Sequence, residues 1–264
     1  MVMARDVTLP FSLLIKSKIV GTSVEDFAKY SRWLFSARQR AKYPELWELY
    51  LEEKRLPAVL DILLKPTSCG LDVGAHIGSF LSLLIRHAPE GHHTAIEPSE
   101  TKSRWLERRF PGVTIFPVAA SDESGKAMFE EDPARPGYSH LQGTLIQKNV
   151  SRYEVCTQRL DDLPIGRVDL LKLDIEGAEL LALRGATQLI KSWRPAILFE
   201  CGSEYAPNKI NRRDLYQYLT DVLGYDIYSF TDFLFREKGP MTFDEFRKCG
   251  IYPFRAFNFV ALAV

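Results

Sequence analysis

From Ser68 onward, short apolar runs alternate with amphipathic stretches, the pattern of a parallel sheet with helical crossovers. The runs predict strands at Cys69–Val73, His93–Glu97, Val113–Pro117, Val168–Asp174, Ala196–Glu200, Tyr225–Phe230 and Phe257–Val264. Spacings of three and four predict helices at Ser79–Arg86, Lys102–Arg109, Ala178–Arg184 and Arg213–Leu223. A further extended pair, Ala127–Glu130 and Tyr153–Arg159, flanks Asp132 to His140, where two prolines and a glycine predict a loop. The first 66 residues read as helix throughout. Ser23 with Glu25 and Asp26 resembles a capping box, and Phe27, Tyr30, Ser31 and Leu34 continue one helical face. Pro44 with Glu45 and Glu48 predicts a second helix start, and Leu56 to Leu64 a further helical stretch that Pro66 stops. Trp33, Phe35, Trp47 and Tyr50 recur on helical faces and are expected to pack. The chain therefore divides into a helical cap, 1–66, and an α/β domain, 67–264.

Composition changes this picture little. The 264 residues carry 34 Lys+Arg against 34 Asp+Glu, with 46% hydrophobic and 26% charged residues. Those values exclude a disordered or fibrous chain and leave enough apolar material for a full core. Zero net charge argues against bulk electrostatic capture of nucleic acid or of anionic lipid and leaves room only for a local basic patch. No apolar run reaches the ~18 residues of a membrane span. The opening residues lack a small-residue cleavage pattern, so no secretory leader is expected. Four scattered cysteines without a C-x-x-C pair suggest reduced thiols and a cytoplasmic protein.

The sharpest local signal is Cys69-Gly-Leu-Asp72-Val-Gly74-Ala75-His76-Ile-Gly78, a strand ending in an acid, a glycine turn and a helix start. Such a strand-to-helix turn is where open α/β sheets bind ligands. Asp72 stands where the dinucleotide motif has its first glycine; a carboxylate there repels a pyrophosphate and suits an ammonium. Glu97 ends the next strand about 20 residues on, the place for an acid that accepts ribose hydroxyls. The third strand end, Ala119-Ala120-Ser121-Asp122, offers small residues for a flat ring and polar groups for its amino substituent. Together the three strand ends describe a nucleoside with an amino-acid-like tail, which fits S-adenosylmethionine better than a dinucleotide.

The fourth strand end adds Lys172-Leu-Asp174-Ile-Glu176-Gly-Ala-Glu179, with Lys172, Asp174 and Glu176 on one face of an extended chain. Glu200 arrives beside them on the fifth strand. Crowded acids raise one another's proton affinity unless a cation compensates. The group Asp174, Glu176 and Glu200 is thus a candidate for holding Mg²⁺ or for orienting and deprotonating a hydroxyl, with His140 a candidate neutral base. Metal and base routes both stay open.

These runs, with Ala95-Ile-Glu-Pro-Ser99, Leu160-Asp-Asp-Leu163 and Arg194-Pro-Ala-Ile-Leu-Phe-Glu200, resemble the FkbM family of S-adenosylmethionine-dependent methyltransferases over roughly residues 67–202. The Lys-x-Asp-x-Glu-Gly-x-Glu run is the most specific of them. The resemblance implies a doubly wound, Rossmann-like sheet of seven strands with an antiparallel last strand. It implies O-methylation of a sugar, oligosaccharide or hydroxylated natural product. The expected cofactor residues are Asp72, Gly74, Ala75, His76, Gly78, Glu97, Ala120, Ser121, Asp122 and Asp174, and the expected catalytic ones His140, Asp174, Glu176 and Glu200. Two rival readings are a cofactor-binding module without turnover and a ribose methyltransferase acting on nucleic acid.

Overall fold

The computed structural model describes residues 16–131, 139–141, 151–206, 210–236 and 238–264, with backbone alone for 139–141. Its strands in chain order are β1 (Gly70–Val73), β2 (Thr94–Ile96), β3 (Thr114–Phe116), β4 (Ala119–Ala120), β5 (Gly125–Glu131), β6 (Ser139–Leu141), β7 (Ser151–Gln158), β8 (Leu170–Leu173), β9 (Ala196–Glu200), β10 (Tyr225–Ser229) and β11 (Asn258–Ala263). Seven of them form one sheet in the order β10-β11-β9-β8-β1-β2-β3. β3, β2, β1, β8 and β9 run parallel, and β11 lies antiparallel between β9 and β10. The doubly wound α/β fold with its antiparallel last strand is as the sequence implies.

Alternate residues of each strand feed opposite faces, so both faces need cover. Leu71, Val73, Leu171, Leu173, Ile197, Phe199 and Phe259 belong to one apolar cluster. Leu170, Leu198 and Val260 belong to the other, with Phe80, Leu81 and Leu84. The helices in chain order are α1 (Ser23–Phe35), α2 (Ala37–Lys42), α3 (Trp47–Leu63), α4 (Ser79–His87), α5 (Glu100–Arg109), α6 (Glu179–Gly185), α7 (Thr187–Trp193), α8 (Arg212–Gln217), α9 (Phe230–Phe235) and α10 (Phe243–Cys249). Val59 and Leu60 of α3 are fully buried in the second cluster, which joins the N-terminal helices to the sheet. Glu52, also on α3, accepts hydrogen bonds from Phe257 N (2.8 Å), Asn258 N (3.1 Å) and Asn258 Nδ2 (2.9 Å). That carboxylate latches the helical segment to the start of β11.

Four expectations need correction. His140 does not lie in a loop: Ser139–Leu141 pairs antiparallel with β5, placing Glu130 opposite His140 in a second sheet of order β4-β7-β5-β6. A three-residue strand beside a Pro/Gly-rich stretch carries too little pattern to be seen, and residues 132–138 of that stretch lie outside the described residues. Ser23 is already helical; Glu25 instead accepts from Gly21 N at 2.7 Å, two residues before the expected cap. Pro44 opens a 3-10 turn, Pro44–Leu46, as expected, but the Leu56 stretch is not a separate helix: it is the second half of α3, which runs through Pro57. The aromatics do not all pack inward, for Phe35 is 88% and Trp47 47% exposed. Trp33 lies between Arg40 (3.8 Å) and Lys54 (3.2 Å), a stack of cations on an aromatic ring.

Candidate functional site

The carboxyl ends of β1, β2 and β8 open into a cavity of about 340 Å³, within the range of small-molecule sites. Its lining includes Gly74, Ala75 and His76 after β1, Glu97 after β2, Val118 to Ala120, and Asp174 to Glu176 after β8. Phe129 of β5, Lys102 of α5, Lys29 of α1, Glu53 and Leu56 of α3, and Asn258 complete the wall. Residues from the whole chain thus converge here.

Two turns form the floor, and both are tightly wound. In the turn after β1, Gly74 (φ 86°), His76 (φ 53°) and Gly78 (φ 87°) adopt left-handed backbone. After β8, Glu176 (φ 53°) and Gly177 (φ 108°) do the same. A non-glycine residue in that region costs of order 1–3 kcal/mol and persists only where its surroundings impose it. Buried carboxylates impose it here. Glu97 accepts from His76 N and Ser99 N, each at 2.9 Å, and Glu179 accepts from Ile175 N at 3.0 Å and Gly177 N at 3.1 Å. Gly74 joins the two turns, because a Cβ there would stand 2.1 Å from Asp174 O.

Burial pushes the Glu97 carboxyl up, against the pull of Lys102 and of the Ser99 and His76 amides. Glu97 nevertheless suits a diol: each oxygen has accepted one amide, and a carboxylate offers about four acceptor sites. Val118, Ala119, Ala120 and Phe129 supply the apolar slot a purine needs. The lining therefore fits a nucleoside cofactor such as S-adenosylmethionine.

Asp72 lies beneath this floor rather than in it. It is fully buried, neither oxygen has a hydrogen-bond partner, and its cation is Lys172, whose Nζ stands 3.6 Å from Oδ1. The β1–β8 register sets Asp72 directly beside Lys172. Burial raises the Asp72 carboxyl and Lys172 opposes it. Lys172 also donates to Asp174 Oδ2 at 3.0 Å. Burial alone would lower its ammonium, but Asp174 and Asp72 outweigh that and hold it charged.

Asp174 and Glu176 line both the main cavity and a smaller acidic recess that also contains Glu179 and Glu200. Burial, then the charges of Asp174 and Glu176, push the Glu200 carboxyl up to about 9, so it carries its proton at neutral pH and donates rather than accepts. The expected Mg²⁺ group of Asp174, Glu176 and Glu200 does not fit: among the described residues no three acidic, His or Cys side chains are placed to hold a metal. The compensating cation is Lys172. Gly78, Ser121 and Asp122 lie outside the cavity wall. Gly78 packs under Phe110, and Ser121 Oγ donates to Asp122 at 3.3 Å. The side chain of His140 falls outside the described residues. Sequence reading missed Lys102 and Phe129, whose only signal was proximity to strand ends.

The Glu200 environment has a measurable consequence. Folded, Glu200 binds its proton up to about pH 9, whereas its ordinary value is 4.5. Between those pH values the unfolded chain binds fewer protons, so this group's contribution to stability falls as pH rises. Glu200→Gln is expected to raise stability relative to the parent by about 1–3 kcal/mol at pH 8 and hardly at all at pH 4. Urea titrations at both pH values check this, and an equal difference at the two would contradict it.

The profile of the methyltransferase FkbM domain matches residues 72–227. Among curated proteins, the AMB antimetabolite synthetase AmbE of Pseudomonas aeruginosa is 28% identical over 169 residues, 47% of this chain and 8% of AmbE. The chain thus spans under a tenth of that relative's length. Among solved structures, the methyltransferase FkbM of Methylobacillus flagellatus is similar with a TM-score of 0.48 and 19% identity, over 76% of this chain and 45% of that one. StiE O-MT is similar with a TM-score of 0.45 and 11% identity, over 87% and 80% of the two chains.

Proposed function

The chain belongs to the methyltransferase FkbM domain family, and on that premise we propose that it transfers a methyl group to a hydroxyl of a sugar, oligosaccharide or hydroxylated natural product. S-Adenosylmethionine, which the main cavity would hold, would supply an electrophilic methyl group as its C–S bond breaks and the neutral thioether S-adenosylhomocysteine leaves. The observation that carries the reading is the convergence of Glu97 and the Gly74–His76 turn with Asp174 and Glu176 around one cavity. Glu97 would take the ribose hydroxyls and the Val118–Ala120 edge the base, positioning the donor for an acceptor at the acidic end. An aliphatic hydroxyl needs help to lose its proton at neutral pH. Asp174, held by Lys172 through Oδ2 alone, accepts that proton. Glu176 and protonated Glu200 orient the acceptor from the neighbouring recess. Helices α1 and α3, contributing Lys29, Glu53 and Leu56, act as a cap that excludes water.

Glu97→Ala is expected to weaken S-adenosylmethionine binding by about 1–3 kcal/mol through lost charged hydrogen bonds. Calorimetry of the two proteins checks the site. Transfer of labelled methyl to a panel of hydroxylated sugars and natural products checks the reaction. Unchanged affinity in the variant, or transfer only to amines, would overturn the reading.

A further inference from the structure

Helix α1 is amphipathic with its polar side inward. Its only buried residue is Glu25, which accepts from Gly21 N and pairs with Lys29 at 3.3 Å, and the ion pairs that reach from it to other segments are Lys29–Glu53 at 4.0 Å and Asp26–Arg86 at 3.4 Å. The apolar side faces out. Val24, Phe27, Ser31 and Leu34 recur at spacings of three and four, with Phe27 68%, Tyr30 55% and Phe35 88% exposed. Trp47, just beyond α2, is also exposed. A contiguous outward stripe of this kind marks an interaction surface rather than scattered surface residues.

Charge selects the partner. Residues 16–43 contain seven basic side chains against two acidic ones, so this stretch is +5 while the rest of a neutral chain is −5. Lys16, Lys18, Arg32, Arg38 and Lys42 are exposed beside the apolar stripe. A second copy of the same face would set these exposed bases against their own counterparts, which disfavours a symmetric dimer through it. Aromatic and aliphatic residues flanked by lysine and arginine on a helix too short to span are the composition of a helix lying in a lipid headgroup layer. No described helix is long and apolar enough to cross a membrane. We propose that the α1–α2 face docks on an anionic lipid bilayer, with Phe27, Leu34 and Phe35 entering the acyl boundary and the five exposed bases contacting headgroups. This is independent of the methyl-transfer reading.

Vesicle co-sedimentation of the full chain tests it. Vesicles of phosphatidylcholine with about one third phosphatidylglycerol should retain the protein at low salt, and phosphatidylcholine alone should retain at least tenfold less. Phe27→Glu/Phe35→Glu should reduce retention at least tenfold while circular dichroism and S-adenosylmethionine binding stay unchanged, because both side chains are exposed. Arg38→Glu/Lys42→Glu should reduce it further at low salt than at high salt. No retention on anionic vesicles, equal retention by the Phe27/Phe35 variant, or self-association that this variant abolishes would each overturn the proposal. The last result would assign the face to a second copy, and binding only to an acidic protein would assign it there.

Discussion

Asp174→Asn is expected to lower methyl transfer by about 10²–10⁴-fold, the contribution of a positioned general base, while S-adenosylmethionine affinity changes less than a few-fold. The substitution keeps the side chain's shape and its hydrogen bond from Lys172, and removes the capacity to take a proton. Asp174 ends β8 with its side chain 39% exposed into the cavity, and Lys172 engages only one of its oxygens. Labelled-methyl transfer and calorimetry on the same preparation separate the two effects. His140→Ala is the discriminating partner. A comparable loss there, with the parent's pH dependence below neutrality abolished, would move the proton to His140. A chelator is expected to leave turnover unchanged, since Lys172 already neutralises the carboxylates between which it sits.

Lys172→Met is expected to destabilise the fold by about 3–5 kcal/mol, the usual cost of stripping one partner from a buried ion pair. Asp72 is fully buried and, among the described residues, has no hydrogen-bond donor and Lys172 as the one cation paired with it. Methionine preserves the apolar stem that runs along Phe80, whose ring centroid lies 5.3 Å from Nζ. Without the ammonium, burial holds the Asp72 carboxyl higher still, so the variant loses more stability as pH rises from acid to neutral. Asp72→Asn in the same chain should recover most of the loss. Denaturant midpoints at pH 5 and pH 8 for the three proteins measure this. A pH-independent loss would show that packing, not charge, is responsible.

Much of this site was legible in the sequence because it lies at strand ends. Period-two alternation fixes which residues of β1 and β8 share a face, and the glycine turn marks where the chain reverses into a helix. Hence Gly74, His76, Glu97, Asp174 and Glu176 were all recognisable as cavity residues. Asp72 was misplaced for a related reason: alternation gives a face, not whether that face is roofed. The cation it faces arrives from a strand a hundred residues later. Lys102 and Phe129 come from an ordinary helix and a short meander, whose patterns resemble any solvated segment. The N-terminal helices were correctly read as helical, yet Phe35 and Trp47 were expected to pack and are exposed. Periodicity reports that a helix has two sides; only tertiary contacts such as Glu52–Asn258 decide which side is inside.

The insertion of β11 between β9 and β10 constrains the order in which the molecule can be made. β9 and β10 are translated well before residue 258; until then β9 presents an unpaired edge, and β10, whose one sheet neighbour is β11, has no strand partner. Domains ordinarily consolidate from the N-terminal side as they leave the ribosome, at 5–20 residues per second. Here the sheet stays split and Glu52 has nothing to latch until Asn258 emerges, 206 residues after it. The nascent chain therefore passes through a stage with open strand edges, the kind of surface that pairs with neighbours. Ribosome-bound intermediates stalled before β11 are the species in which chaperone dependence and aggregation should concentrate.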